Sequence, residues 1–290
     1  MNSMDIDKLQ LGFTQAKKIT KKFAKTFYLS SLFLPKAKKN ASYAVYAICR
    51  LSDESVDQST CLDQENELKK LEQKISVAYS QLEIQESLLI AFRYTINNYN
   101  IPKEYFDTLI AGMRMDLEIK RYANFTALKD YCYKVAGVVG LIMLKIFGNK
   151  DNIAYDYAIK LGIAMQLTNI LRDIKEDLGR ERIYLPFDEM LKFNITENQL
   201  KKGQINEDFK NFIGFQIKRC EEFYTQSQTG IKLIDSRLCR FVILIMKEAY
   251  SGILHSIKKN NYDVFTKRAC VSKFKKIKII STILWERKYL

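Results

Sequence analysis

The chain has 290 residues, 47% of them hydrophobic, with seventeen tyrosines and seventeen phenylalanines, which excludes a disordered polypeptide and allows a large aromatic-rich core. Its single histidine, His255, excludes multi-histidine metal sites and reads as a surface or satisfied helix residue, while six scattered cysteines without a Cys-x-x-Cys spacing read as thiols of a reducing compartment rather than as zinc ligands or disulfides. A net charge of +14 suits a solvated lysine-rich surface, an anionic substrate or an anionic membrane; without a helix-turn-helix, zinc or RNP pattern beside it, no nucleic-acid partner is expected.

Taken in order, the first ten residues lack the apolar core of a secretory signal, which points to a cytoplasmic protein. Residues 6–34 carry apolar side chains at helical spacing and stop at Pro35, and Asn40 is placed to cap the next helix, which runs through Tyr43, Tyr46, Arg50, Asp53 and Asp57. Residues 64–80 form a polar, peripheral amphipathic helix. Pro102 opens a helix that carries Met113, Met115, Asp116 and Tyr122. The following helix contains Gly137 and Gly140, each about 1 kcal/mol worse than alanine there, so a close approach of another helix or a ligand is expected. The apolar run 135–146 is broken by Lys145 and too short to span a bilayer. A helix from 154 to about 177 leads into a charged loop, 178–186; two long helices fill 207–259, and a basic tail ends the chain. With three prolines, eleven glycines, no repeat and no linker, the chain reads as one all-α domain, 1–290.

Two Asp pairs, Asp53/Asp57 and Asp173/Asp177, are spaced i, i+4, which stacks their carboxylates on one helix face where they repel. A hard cation relieves that repulsion: Mg²⁺ takes oxygen ligands from one or two carboxylates and fills its shell with water and substrate phosphate. The spacing alone is weak. Its context is stronger: Gln166, Asn169, Asp173 and Asp177 fall at i, i+3, i+7 and i+11 as one polar stripe on an otherwise apolar helix. A solvated helix face is the alternative, opposed by the lack of lysine in the stripe.

The order of motifs resembles the squalene/phytoene synthase family of head-to-head prenyl-diphosphate condensing enzymes. The likeness is carried by Lys25-Thr-Phe-Tyr-Leu with Pro35 after it, Tyr46-Ala-Ile-Cys-Arg-Leu-Ser-Asp-Glu-Ser-Val-Asp57, Gly112-Met-Arg-Met-Asp116, Tyr131-Cys-Tyr-Lys-Val-Ala-Gly-Val-Val-Gly140, the run 164–177 continuing to Arg182-Ile-Tyr-Leu-Pro186, and Tyr262-Asp-Val-Phe-Thr-Lys-Arg268. It covers nearly the whole chain; Ala24 before Lys25, and Lys134 within the tyrosine-valine-alanine-glycine run, are small departures. The resemblance implies an isoprenoid-synthase-type helical bundle around a central cavity. In it Asp53 and Asp57 hold Mg²⁺ (or Mn²⁺) from one wall, and Asp173, Asp177 and Asn169 from the other, with Gln166 on the same face. It implies Lys25, Arg50, Arg172, Arg182 and Arg268 as diphosphate cations, with Lys267 competing for the last role, and Tyr250 as a hydroxyl donor. Phe27, Tyr28, Tyr46, Tyr131 and Tyr133 supply aromatic faces for a carbocation, Tyr131 being placed with the catalytic group. The released diphosphate can serve as general base, so no histidine is needed.

In such enzymes one prenyl diphosphate ionises, the double bond of a second attacks, a cyclopropyl diphosphate forms, and its ionisation and rearrangement give a 1-1′ linked hydrocarbon. Ser31, one turn beyond Phe27, leaves room for a long chain, and Phe265-Thr-Lys-Arg-Ala269 is similar to phytoene synthases. The expected reaction is therefore two geranylgeranyl diphosphates to phytoene, in carotenoid biosynthesis. The alternative is a C30 enzyme acting on farnesyl diphosphate to give presqualene diphosphate, dehydrosqualene or squalene, with NADPH needed only for squalene. A non-catalytic relative is opposed by retention of all four aspartates. The tail, 273–290, mixes lysines with Ile277, Ile279, Ile280, Leu284 and Trp285; it reads as the last bundle helix or as a peripheral contact with the inner face of a membrane. Oligomeric state is not legible.

Overall fold

The structure is a computed structural model that describes residues 3–57 and 61–285, with side chains described for 5–50, 64–272 and 274–285. Helices dominate, as the scarcity of breakers requires: α1 (Ser3–Phe23), α2 (Lys25–Ser31), α3 (Lys36–Asp57), α4 (Cys61–Tyr79), α5 (Ser87–Asn98) and α6 (Lys103–Glu118) come first. After the short strand β1 (Arg121–Tyr122), α7 (Phe125–Cys132) runs through a π-helical turn (Tyr133–Gly137) into α8 (Val138–Phe147). Then come α9 (Ala154–Arg172), α10 (Ile174–Gly179), β2 (Ile183–Pro186), α11 (Phe187–Lys192), α12 (Glu197–Lys201), α13 (Glu207–Ile231), α14 (Arg237–Lys259) and α15 (Lys273–Trp285). Among the described residues no helix is long and apolar enough to cross a membrane.

The axis of the bundle is α9, which touches α13, α8, α14, α7 and the π-helical turn. It is apolar on several sides, burying Gly162, Ile163, Ala164, Leu167, Ile170 and Leu171, as a helix surrounded by others must. Its one buried hydroxyl, on Thr168, bonds the Ala164 carbonyl (2.8 Å) and the Tyr224 hydroxyl of α13 (2.9 Å). Close backbone contact accounts for two glycines: a Cβ on Gly140 would lie 2.4 Å from the Ala158 oxygen, and one on Gly162 would lie 2.3 Å from the Ala136 oxygen. One apolar cluster joins α9, α13, the C-terminal half of α14 and β2; another gathers α1, α3, α4, α5, α6 and α8.

Several expected boundaries differ. The predicted helix over 6–34 divides at Ala24 (φ −119°, ψ 58°), which turns α2 so that Phe27 and Tyr28 meet the rings of Tyr43 and Tyr46 on α3. Asn40 is no cap: α3 begins directly after Pro35, whose carbonyl accepts the Lys39 N–H at 2.9 Å. Tyr122 is not on α6, because the chain turns extended at Ile119 (φ −101°, ψ 111°) and enters β1. The expected charged loop, 178–186, instead begins with the end of α10 and contains β2, which pairs in parallel with β1. The helix expected to reach 177 breaks at Asp173 (φ −106°, ψ 13°), although the Asp173 N–H still bonds the Asn169 carbonyl and the Asp177 N–H the Asp173 carbonyl, both at 2.9 Å.

Candidate active site

The break between α9 and α10 brings charge to one place. Asp173 accepts from Arg172 Nε at 2.7 Å through Oδ1, and Arg268 bonds the same oxygen through Nε (2.9 Å) and Nη2 (2.8 Å). Arg268 also reaches Glu176 at 3.2 Å. Of the two neighbouring cations considered from the sequence, Arg268 is the one bonded to Asp173. Burial works against the Arg172 cation, but the adjoining carboxylate outweighs it and holds the guanidinium pKa above its ordinary value. Tyr250, on α14, lies within reach of the charges of Arg172, Asp173 and Arg268, and burial raises its hydroxyl pKa.

Asp177 has the opposite condition. Burial, then the charge of Asp173, push its carboxyl up to about 7 against the pull of Arg182 and Arg180. Asn169 makes a long contact to Gln166 (3.5 Å), and its own Oδ1 is buried with no hydrogen-bond partner among the described residues. Buried amide oxygens are rarely left this way, so an acceptor is held ready for a donor or a cation.

A second centre lies beside it. Asp116, at the end of α6, accepts from the Tyr131 hydroxyl at 3.0 Å and the Tyr184 hydroxyl at 2.8 Å. The Tyr131 and Tyr184 rings stack at 5.2 Å, and Tyr122 stacks on Tyr184 at 5.9 Å. Burial raises the pKa of Asp116, while Tyr184 and Arg182 draw it back. Burial and the Asp116 charge raise both tyrosines, so at neutral pH they stay protonated and donate. Arg182 enters the same field, with its Nε buried and unpartnered among the described residues. The sequence offers Tyr131 and Arg182 as site candidates, whereas Asp116 and Tyr184 stand in it only as members of motifs, without a role of their own.

The α2–α3 wall holds the remaining candidates. Lys25 is exposed at the start of α2. Phe27 packs edge-on against Tyr43 at 6.3 Å, and the fully buried Ser31 bonds the Tyr43 hydroxyl at 2.6 Å. The guanidinium of Arg50 lies 4.9 Å from the Phe23 ring centre. Asp53 and Asp57 fall in the last turns of α3, and their side chains lie outside the described residues.

The donor set fits a hard divalent cation. Among the described residues the half-buried Asp177 carboxylate receives no side-chain hydrogen bond, the Asn169 Oδ1 has no partner, and all the donors are oxygens. Among the described residues no three acidic, cysteine or histidine side chains converge, so ligands from a second wall are required to complete such a site. Arginines beside it suit a diphosphate, which they grip bidentately. The tyrosine stack offers ring faces that stabilise positive charge.

The squalene/phytoene synthase family model matches residues 20–275. The phytoene synthase of Arthrospira platensis is 39% identical over 283 residues, covering 92% of this chain and 90% of the relative. The 15-cis-phytoene synthase of Synechococcus elongatus is 37% identical, covering 93% and 91%. Among solved structures, a dehydrosqualene synthase in complex with ligand superposes with a TM-score of 0.91 at 30% identity, over 99% of this chain and 100% of that one. Squalene synthase HpnC from Alicyclobacillus acidocaldarius gives a TM-score of 0.81 at 27% identity, over 88% and 96%.

Proposed function

The chain belongs to the squalene/phytoene synthase family, and from that membership we propose that it joins two geranylgeranyl diphosphates head to head, through a cyclopropyl diphosphate, to give phytoene. It is a prenyltransferase with prenyl diphosphate substrates. The observation that carries the choice of phytoene is kinship along nearly the whole chain with phytoene synthases, at higher identity than with the dehydrosqualene synthase of the same fold.

In the mechanism we infer, Arg172, Arg182 and Arg268 hold diphosphate oxygens at the end of α9, and Lys25 and Arg50 act from the α2–α3 wall. Asp173, Asp177 and Asn169, with Asp53 and Asp57, would hold Mg²⁺ or Mn²⁺, which when bound stabilises the charge developing on the diphosphate leaving group. Binding at Asp173 requires that Arg172 or Arg268 yield one of its bonds to that carboxylate, so the arginines turn from Asp173 to the substrate as the site fills. The rings of Tyr131, Tyr184 and Phe27 exclude water from the carbocation and present their faces to it. Tyr131 keeps its proton and fixes Asp116, so the freed diphosphate is left to remove the proton that closes the cyclopropane. No step calls for NADPH.

Purified protein is incubated with Mg²⁺ and either geranylgeranyl or farnesyl diphosphate, with and without NADPH, and the extracted hydrocarbon identified by mass. A C40 triene core from geranylgeranyl diphosphate without NADPH is expected. Exclusive formation of a C30 product from farnesyl diphosphate would transfer the chain to the other branch of the family.

A further inference from the structure

We propose that the outward face formed by α15 and α2 docks the protein on an anionic membrane surface. The inner side of α15 is already satisfied: Ile279, Ile280 and Ile283 pack on Ile231, Phe241, Leu244 and Ile245. Its outer side is nevertheless apolar, with Phe274 at 86%, Ile277 at 64%, Leu284 at 50% and Trp285 at 89% exposure. At 100° per residue these four fall within one stripe, with Lys278 and then Lys275 along its edge.

Further exposed apolar residues lie on and just after α2, beside α15. Lys276 Nζ donates to Thr26 Oγ1 at 2.9 Å, both α2 and α15 touch α14, and Phe33, just past the end of α2, meets Phe241 of α14 edge-on at 5.0 Å. Leu29, Leu32 and Phe33 are exposed there. Single exposed apolar residues are ordinary; four on one stripe of a helix, with three more on the segment beside it, mark a contact surface.

Charge selects the occupant. Neither α2 nor α15 contains an acidic residue, and exposed Lys36 and Arg237 lie nearby in a chain of net charge +14. A face of this sign repels a second copy of itself and attracts anionic lipid, at about 1 kcal/mol per basic residue. One further argument rests on the prenyl-diphosphate reading. Phe27 and Ser31 on α2 turn toward Tyr43 of α3, while Leu29 and, just past the helix, Leu32 are exposed, so this segment has one side on the α2–α3 wall and the other on the docking face. A long hydrocarbon is released into a bilayer far more readily than into water, at about 0.8 kcal/mol per buried CH₂.

Trp285 is the only tryptophan and reports on this face directly. The full chain is mixed with vesicles of phosphatidylcholine alone, or of phosphatidylcholine with phosphatidylglycerol, and followed by Trp emission and co-sedimentation. A blue shift and sedimentation with the anionic vesicles, both weakened by added salt, are expected. Phe274→Ser with Ile277→Ser reduces binding by about tenfold or more, and Lys275→Glu with Lys278→Glu does the same for anionic vesicles, each with an unchanged melting temperature and unchanged turnover in detergent. Absence of vesicle binding, equal binding by all variants, or a wild-type dimer made monomeric by Phe274→Ser overturns the proposal, the last by giving the face to a second copy. No turnover enters the vesicle measurement, so its failure leaves the assigned reaction standing, and the reverse also holds.

Discussion

Asp116 and Asp177 are both half-buried, both feel the charge of Arg182, and both have raised pKa values, yet their surroundings differ. Asp116 receives two tyrosine hydroxyls, at 2.8 and 3.0 Å. Among the described residues the Asp177 carboxylate receives no side-chain hydrogen bond. The first carboxylate is a finished structural element that orients Tyr131 and Tyr184. The second, in the proposed mechanism, leaves its oxygens to a cation at the expense of native-state stability. Two acids with similar shifts thus serve different ends, which only their hydrogen bonds separate.

Asp177→Asn gives the largest separation. Turnover of prenyl diphosphate in Mg²⁺ is expected to fall by about a thousandfold, equivalent to about 4 kcal/mol of lost transition-state stabilisation. Stability moves the other way. Folded Asp177 titrates at about 7 against an ordinary 3.8, so between those values the native state holds a proton that the unfolded chain has released. Wild-type stability therefore falls as pH rises through that window, and the full penalty is present above it. In chelator, the asparagine variant gains about 2 kcal/mol above neutral pH, and the gain shrinks toward acid. Urea unfolding at several pH values measures it; a gain independent of pH would remove Asp177 as the titrating group.

Asp116→Leu reverses that pattern. It strands two buried hydroxyls and should destabilise the fold by about 3 kcal/mol, most of it from unsatisfied donors. Tyr184→Phe, which removes one donor and leaves the stack, should lose about 1 kcal/mol by the same urea measurement. If Asp116→Leu proves as stable as wild type, the Asp116 centre does not have the structural role that distinguishes it from Asp177.

The contrast also marks what the sequence could disclose. The stripe of Gln166, Asn169, Asp173 and Asp177 was legible because it follows helical spacing within one element. The all-α class was legible because few breakers interrupt the chain. The Asp116–Tyr184 bond was not, since it joins residues far apart through β2, a strand whose short apolar run ends in Pro186 and reads as loop. The turn at Asp173 has no proline or glycine to announce it. Asn40 suits a cap by residue type alone, while the helix already starts after Pro35. Asp53 and Asp57 remain known by spacing and family position.

Arg268 offers the smallest and sharpest test of the Asp173 side of the site. Its side chain is 55% exposed, so its ion pair with Asp173 contributes little to stability, within about 1 kcal/mol. If the arginine leaves Asp173 for diphosphate when substrate arrives, Arg268→Ala weakens substrate binding more than it slows the chemical step. The expected result is a KM raised about tenfold, with kcat changed far less, and a melting temperature close to wild type. Arg268→Lys keeps the charge but not the bidentate grip and should fall between the two. A fall in kcat with KM unmoved would instead place Arg268 on the developing charge of the transition state. Unchanged kinetics in both variants would confine it to tying its loop to the end of α9.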